Sequence, residues 1–183
     1  MGPAHQQLVL LAAVALLSAG LLPQALAKGK GRRGPVHPQV EAICARTPFQ
    51  EVCKSTAGRH ASKYTVIDNL AVLNMQVDAF AKRTKQARNN VIKTSRTILP
   101  AQQQDLKLCD DMYKHTLDTI GAAQRAISFK DKNTTKIMLQ LAVQDFESCN
   151  RPFQQAGLPN PLEKFNTELS HMANNCMALA NMI

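Results

Sequence analysis

The chain has 183 residues, 45% of them hydrophobic and 4% aromatic, with no Trp, two Tyr and six Phe. That is enough apolar material for one domain-sized core, which excludes wholesale disorder, while the scarcity of rings argues against a base-stacking nucleic-acid platform. Lys and Arg number 22 against 13 Asp and Glu, a formal charge of +9 that suits an acidic polymer or a membrane surface as well as nucleic acid.

Residues 8–17 form an unbroken apolar run, extended after a polar break to Leu22 and closed by Pro23. The run falls short of the about 20 residues needed to span a bilayer, and Ala25-Leu26-Ala27 supplies the small residues of a signal-peptidase site. Residues 1–27 are therefore read as a secretory signal, although the segment before the apolar run carries no Lys or Arg. Residues 28–38 (KGKGRRGPVHP) hold four cations, three Gly and two Pro. They cannot bury a face and read as a flexible basic arm, either a solvated tail or a tether to an acidic matrix. No second apolar stretch is long enough to span a membrane. The remaining residues, 39–183, form one domain: a short hairpin over about 39–57 and a bundle over about 61–183.

In the hairpin, Thr47-Pro48 interrupts the segment from Val40 to Ala57, with Pro at a first helical position and Thr as its cap. Beyond it, only Pro100 and Gly121 occur between Arg59 and Arg151. A β-sandwich or barrel needs turn signals every ~8–12 residues, so all-β is excluded and long helices are expected. The first bundle helix carries Val66, Leu70, Leu73, Val77, Phe80, Thr84, Ala87 and Val91 at alternating spacings of four and three. Ser62 can cap it, and it ends before Pro100. The second seam is Leu106, Cys109, Tyr113, Thr116, Ile120, Ala123 and Ile127. A broader third set, Ile137, Met138, Leu141, Ala142, Val143, Phe146 and Cys149, stops at Pro152. The fourth is Leu162, Phe165, Leu169, Met172, Cys176, Leu179 and Ile183, after a Gly- and Pro-rich break at 157–161. Four amphipathic segments with short loops bury their stripes best as an all-α, up-down-up-down four-helix bundle.

Five cysteines, Cys44, Cys53, Cys109, Cys149 and Cys176, follow the leader, and secretion makes disulfides their default fate. Among the three pairings open to the first four, chain geometry favours Cys44 with Cys53 across the hairpin turn. Cys109 then pairs with Cys149 between antiparallel neighbours. Cys176 is left on the fourth seam, either an inert buried thiol or a group for an intermolecular or redox bond. No cysteine pair has the close spacing of a zinc knuckle.

Chemistry is otherwise sparse. A di-metal carboxylate bundle needs two Glu-x-x-His tetrads, and the chain offers only Glu168 to His171, beside the seam in a position that suits a solvated flank. Asp111 and His115 share a face with no third ligand. Asp110 and Asp111 point ~100° apart, a poor acid/base pair. With no phosphate loop or nucleophile motif, the reading is a non-enzyme without metal or cofactor. Asn133-Thr134-Thr135 is an N-glycosylation acceptor in the loop expected between the second and third helices, where Thr134 or Thr135 could alternatively act as a helix cap.

Together these residues resemble the plant invertase and pectin methylesterase inhibitor family. Cys44 to Cys53 with Thr47-Pro48-Phe49 looks like the family's opening motif, and Asp105 to Tyr113 is similar to its second cysteine-bearing helix. Gln140 to Cys149 with Phe153 resembles the third, and Leu169 to Ala180 the closing helix. The resemblance spans about His37 to Ile183. It implies a four-helix bundle with an N-terminal hairpin, disulfides Cys44–Cys53 and Cys109–Cys149, export to the cell wall, and one-to-one inhibition of a carbohydrate enzyme.

Gln140, Gln144 and Ser148 stand where the family has small or hydroxylated residues. Asp131 to Lys136 replaces the Pro-Lys-Phe usual before that helix in invertase inhibitors. The second departure favours pectin methylesterase over invertase as partner. Contact with it is expected from solvent-side residues of the second and third helices: Asp110, Asp111, Lys114, Gln140, Gln144 and Glu147. Each of them also reads as ordinary bundle surface. The charge and the basic arm suggest weak association with pectin as well, and a basic wall-associated structural protein is the alternative from another class.

Overall fold

A computed structural model describes residues 35–183, so the expected leader and nearly all of the expected arm lie outside the described residues. Six α-helices make up the described chain: α1 (Pro38–Cys44), α2 (Gln50–Ala57), α3 (Asn69–Thr94), α4 (Gln103–Ser128), α5 (Lys132–Gln155) and α6 (Glu163–Ala180). Single 3-10 turns at Ala61–Lys63 and Pro100–Gln102 lead towards α3 and into α4. Among the described residues there is no strand.

Helices α3 to α6 form the bundle, each packed on its two neighbours: α3 on α4, α4 on α5, α5 on α6, and α6 back on α3. The expected seams face inward. Leu73, Val77, Phe80, Leu106, Tyr113, Ile120, Phe146, Leu169 and Leu179 are all buried. Each fully buried side chain of this size is worth roughly 1.5–3 kcal/mol of transfer free energy. Phe80 and Phe146 meet edge to face across the centre, ring centroids 6.0 Å apart. Polar side chains also enter the core. The Tyr113 hydroxyl donates to Asn166 Oδ1 at 2.6 Å, and Asn166 Nδ2 donates to Asn150 Oδ1 at 2.6 Å.

The α1–α2 hairpin is closed by the Cys44–Cys53 disulfide and lies on α3 and α6. Asn175 of α6 holds its turn from both sides, accepting from the Phe49 N–H and donating to the Phe49 carbonyl, each at 2.9 Å. The Phe49 ring stacks on His171, centroids 3.7 Å apart. From α3, Gln76 donates to the Cys53 carbonyl at 2.8 Å and to Thr56 Oγ1.

Several local expectations are corrected. Pro38 belongs not to the arm but to the first turn of α1, where His37 Nδ1 accepts from Gln39 N–H. Thr47 does not cap α2: its hydroxyl donates back to the Cys44 carbonyl at 2.7 Å, and Phe49 precedes the helix. Asp68, not Ser62, caps α3 by accepting from Ala71 N–H, because the chain first makes the 3-10 turn that holds Ser62; Val66 is left outside, 71% exposed. Likewise Asp131 caps α5 in place of Thr134 or Thr135.

Helix α5 runs through Pro152 to Gln155 instead of stopping there. Phe153, seven residues after Phe146 and four after Cys149, is fully buried, so the apolar seam carries the helix past the one hydrogen bond proline removes. The same seam takes Leu139 inward and leaves Ile137 58% exposed.

Candidate functional site

Helices α4 and α5 form a braced pair. At one end of the contact Cys109 is bonded to Cys149, with both residues fully buried. At the other end three residues turn the chain around. Lys130 takes a left-handed conformation (φ 56°), and Asp131 N–H closes on the Ala126 carbonyl at 2.9 Å. Asp131 then starts α5, its carboxylate accepting from Thr134 N–H and from the Thr134 hydroxyl. Between the two ends, the buried Asp145 of α5 reaches α4. It accepts from Thr116 Oγ1 at 2.9 Å, and His115 Nδ1 lies 2.9 Å from both of its oxygens.

Of the sequence-predicted contact residues, Asp110, Asp111 and Lys114 are brought together. Lys114 Nζ lies 3.0 Å from a carboxylate oxygen of each aspartate, and Arg88 of α3 donates through Nε to Asp110 at 2.8 Å. Partial burial pushes the Asp110 carboxyl up. The hydrogen bonds and charges of Arg88 and Lys114 outweigh that and hold it below the usual carboxylate range. Those same two aspartates raise the Lys114 ammonium above its ordinary value. Asp110 is thus a tethered, half-buried member of the α3–α4 edge, not the free solvent-side group expected. Gln140, Gln144 and Glu147 are exposed and fall on one stripe of α5 at spacings of four and three. Among the described residues no side-chain hydrogen bond links the aspartate cluster to that stripe; His115 and Asp145 stand between them.

Other expected pairings differ. His115 engages Asp145 across the helix interface instead of Asp111 along its own helix, because the buried carboxylate offers both oxygens where the exposed one is taken by Lys114. Glu168 is no solvated flank: Arg83 donates to it through Nε at 3.0 Å while lying over the Phe165 ring at 4.4 Å. Asn133 is exposed, but in the first turn of α5 instead of a loop. Cys176 is fully buried and unbonded, and burial pushes its thiol pKa far up.

The His115–Asp145 pair went unseen in the sequence, although an aspartate between Ala142 and Phe146 on a buried face was a signal that something must satisfy it. Chemically the face offers charge, amides and rigidity. Among the described residues no three His, Cys, Asp or Glu side chains are grouped to hold a metal ion.

Residues 38–179 match the sequence profile of the family described as plant invertase/pectin methylesterase inhibitor. Two solved structures share the fold. A mutant form of a pectin methylesterase inhibitor from Arabidopsis superposes with a TM-score of 0.64 at 13% identity, covering 79% of this chain and 97% of that one. A pectin methylesterase inhibitor from Arabidopsis thaliana gives 0.59 at 13% identity, covering 79% and 95%. No curated protein matches the sequence. The profile covers well over half the chain, and the bundle, hairpin and both disulfides accord with it: the protein belongs to the plant invertase/pectin methylesterase inhibitor family.

Proposed function

We propose that this protein is a secreted, non-catalytic inhibitor that fills the substrate cleft of pectin methylesterase in a one-to-one complex, presenting the outer face of α4 and α5. The observation that carries the reading is the bracing of those two helices by a disulfide, a three-residue turn and the Asp145 bridge. A face fixed before encounter pays less ordering entropy on binding. A patch of ordinary size, about 800 Å² per partner, fits on two helices of about 25 residues. The contact candidates in this reading are Asp111, Lys114, Gln140, Gln144 and Glu147, with Asp110 at the edge towards α3; Gln144 is next in the chain to the Asp145 that meets His115. The first turn of α5, Lys132 to Lys136, lacks the Pro-Lys-Phe of invertase inhibitors, which favours pectin methylesterase as the target.

Residues 1–27 act in this reading as the export signal and the cationic residues that precede α1 as a basic arm with weak affinity for pectin. Both disulfides and the exposed acceptor Asn133 suit the cell-wall exterior. Titration of the purified protein against plant pectin methylesterase, with invertase assayed alongside, tests the proposal. Activity should fall linearly to zero at equimolar protein, and Gln144→Arg should weaken inhibition about tenfold, the equivalent of ~1.4 kcal/mol, without changing thermal stability. Inhibition of invertase alone would move the target. Salt-sensitive retention on de-esterified pectin with neither enzyme affected would replace inhibition by a structural wall role.

A further inference from the structure

On the side of the molecule formed by α2, α3 and α6, the hairpin leaves an open cleft of about 500 Å³. Arg59, His60 and Lys63, from the segment after α2, form one wall; Lys82 and Arg83 of α3 and Glu168 of α6 form the other. The single carboxylate is committed, since Glu168 accepts from Arg83. Arg59 is aimed by its Nε donating to the Ser55 carbonyl at 2.8 Å, which leaves the end of its guanidinium fork outward. Among the described residues, Arg59, Lys63 and Lys82 have no ion-pair partner, so three uncompensated cations converge on one concavity. Like charges in a cleft repel one another and focus field on an incoming anion. His60 registers that field: its imidazole pKa is lowered first by burial and then by Lys63, with Lys82 and Arg59 adding to the effect and Asp78 opposing it.

From this arrangement we infer a second binding site, distinct from the α4–α5 face, that takes an oligosaccharide bearing several carboxylates. The chemistry of the walls selects the ligand class. No Phe, Tyr or Trp lines the cleft, so it offers no broad ring on which a nucleobase would stack. Its apolar lining is confined to Ala79 and Met172, too little to anchor an acidic peptide, which docks through apolar pockets or a sheet edge. Thr56 and Gln86 add a hydroxyl and an amide suited to sugar hydroxyls, beside cations suited to uronate carboxylates. A volume of this order lies within the ordinary range for small-ligand sites. The choice of a uronide among carboxylated sugars rests on the cell-wall setting proposed above, whereas the carboxylate preference rests on the cleft alone.

The test uses the full chain and an oligogalacturonate of defined length, followed by calorimetry and amide chemical shifts, with no esterase present. Outside the basic arm, shifts should be confined to residues 56–63, 79–86 and 168–172. Lys63→Gln with Lys82→Gln should weaken binding about five- to tenfold, while the charge-matched Lys107→Gln with Lys136→Gln on α4 and α5 should change it less than twofold. The fully methyl-esterified oligomer should not bind. Equal losses in the two double variants would mean diffuse attraction to net charge and overturn the site, as would undiminished binding of the ester or tighter binding of poly-glutamate. A chain that binds the oligomer in this way yet inhibits no enzyme keeps the site and loses the proposed function, so the two fail separately.

Discussion

Removing the α4–α5 disulfide should cost the protein more than removing the hairpin disulfide. Cys109 and Cys149 are separated by 40 residues, Cys44 and Cys53 by 9. In the chain-entropy view a cross-link stabilises by restricting the unfolded chain, and the restriction grows with the logarithm of the loop. For these loops the stabilisation is about 3.9 and about 2.7 kcal/mol, a difference of about 1.2 kcal/mol. A domain of this size has ~5–15 kcal/mol in total, so Cys109→Ala with Cys149→Ala removes a large fraction of it. With a urea slope of about 2 kcal/mol per molar, the unfolding midpoint should drop by about 2 M for that pair and by about 1.3 M for Cys44→Ala with Cys53→Ala. Both are readable by far-ultraviolet circular dichroism at constant slope. The entropic account fails if the hairpin pair proves equally or more costly. Inhibition gives a second reading: if the braced face is the working surface, the first double variant loses affinity under conditions where it is still folded.

Three further outcomes follow from single side chains. Tyr113→Phe leaves Asn166 Oδ1 without its buried donor and should cost about 1–3 kcal/mol in urea unfolding. Lys130 and Gly157 occupy the same left-handed position at the ends of α4 and α5, so Lys130→Gly should stabilise by about 0.5–1 kcal/mol and Gly157→Ala destabilise by a similar amount in thermal melts. Because the folded Asp110 pKa lies below the ordinary 3.8, its contribution is complete above that value and is lost as pH falls from there through the folded pKa. Asp110→Asn should therefore flatten the acid limb of stability against pH while leaving its shape near neutrality unchanged.

The fold was legible because apolar spacing at four and three admits one helical solution, and the seams read for α3, α4 and α6 are the buried ones except at their edges, where Val66 is exposed and Leu70, Phe165 and Ile183 are partly buried. What escaped was polar. Gln76, Asn166 and Asn175 are buried because each has backbone or side-chain partners far along the chain; the 126-residue separation between Phe49 and Asn175 is invisible to a local pattern. Helix starts differ from the local pattern for a similar reason. Ser62 and Thr47 are good capping types, but Asp68 and the turn after α1 won through their setting. At the candidate face, residue types signalled exposure for Gln140, Gln144 and Glu147. They could not signal that Arg88, on another helix, would hold Asp110.

The unpaired sulfur of Cys176 sits beneath α6 with no exposed atoms and an elevated proton affinity. A thiol attacks disulfides only as the accessible thiolate, so in the native state this one is silent towards both cystines and towards a second chain. Its silence depends on α6 remaining docked. Covalent trapping by an alkylating reagent would therefore count the excursions of that helix away from the bundle, and every such excursion is also an opportunity for sulfur exchange as the protein ages.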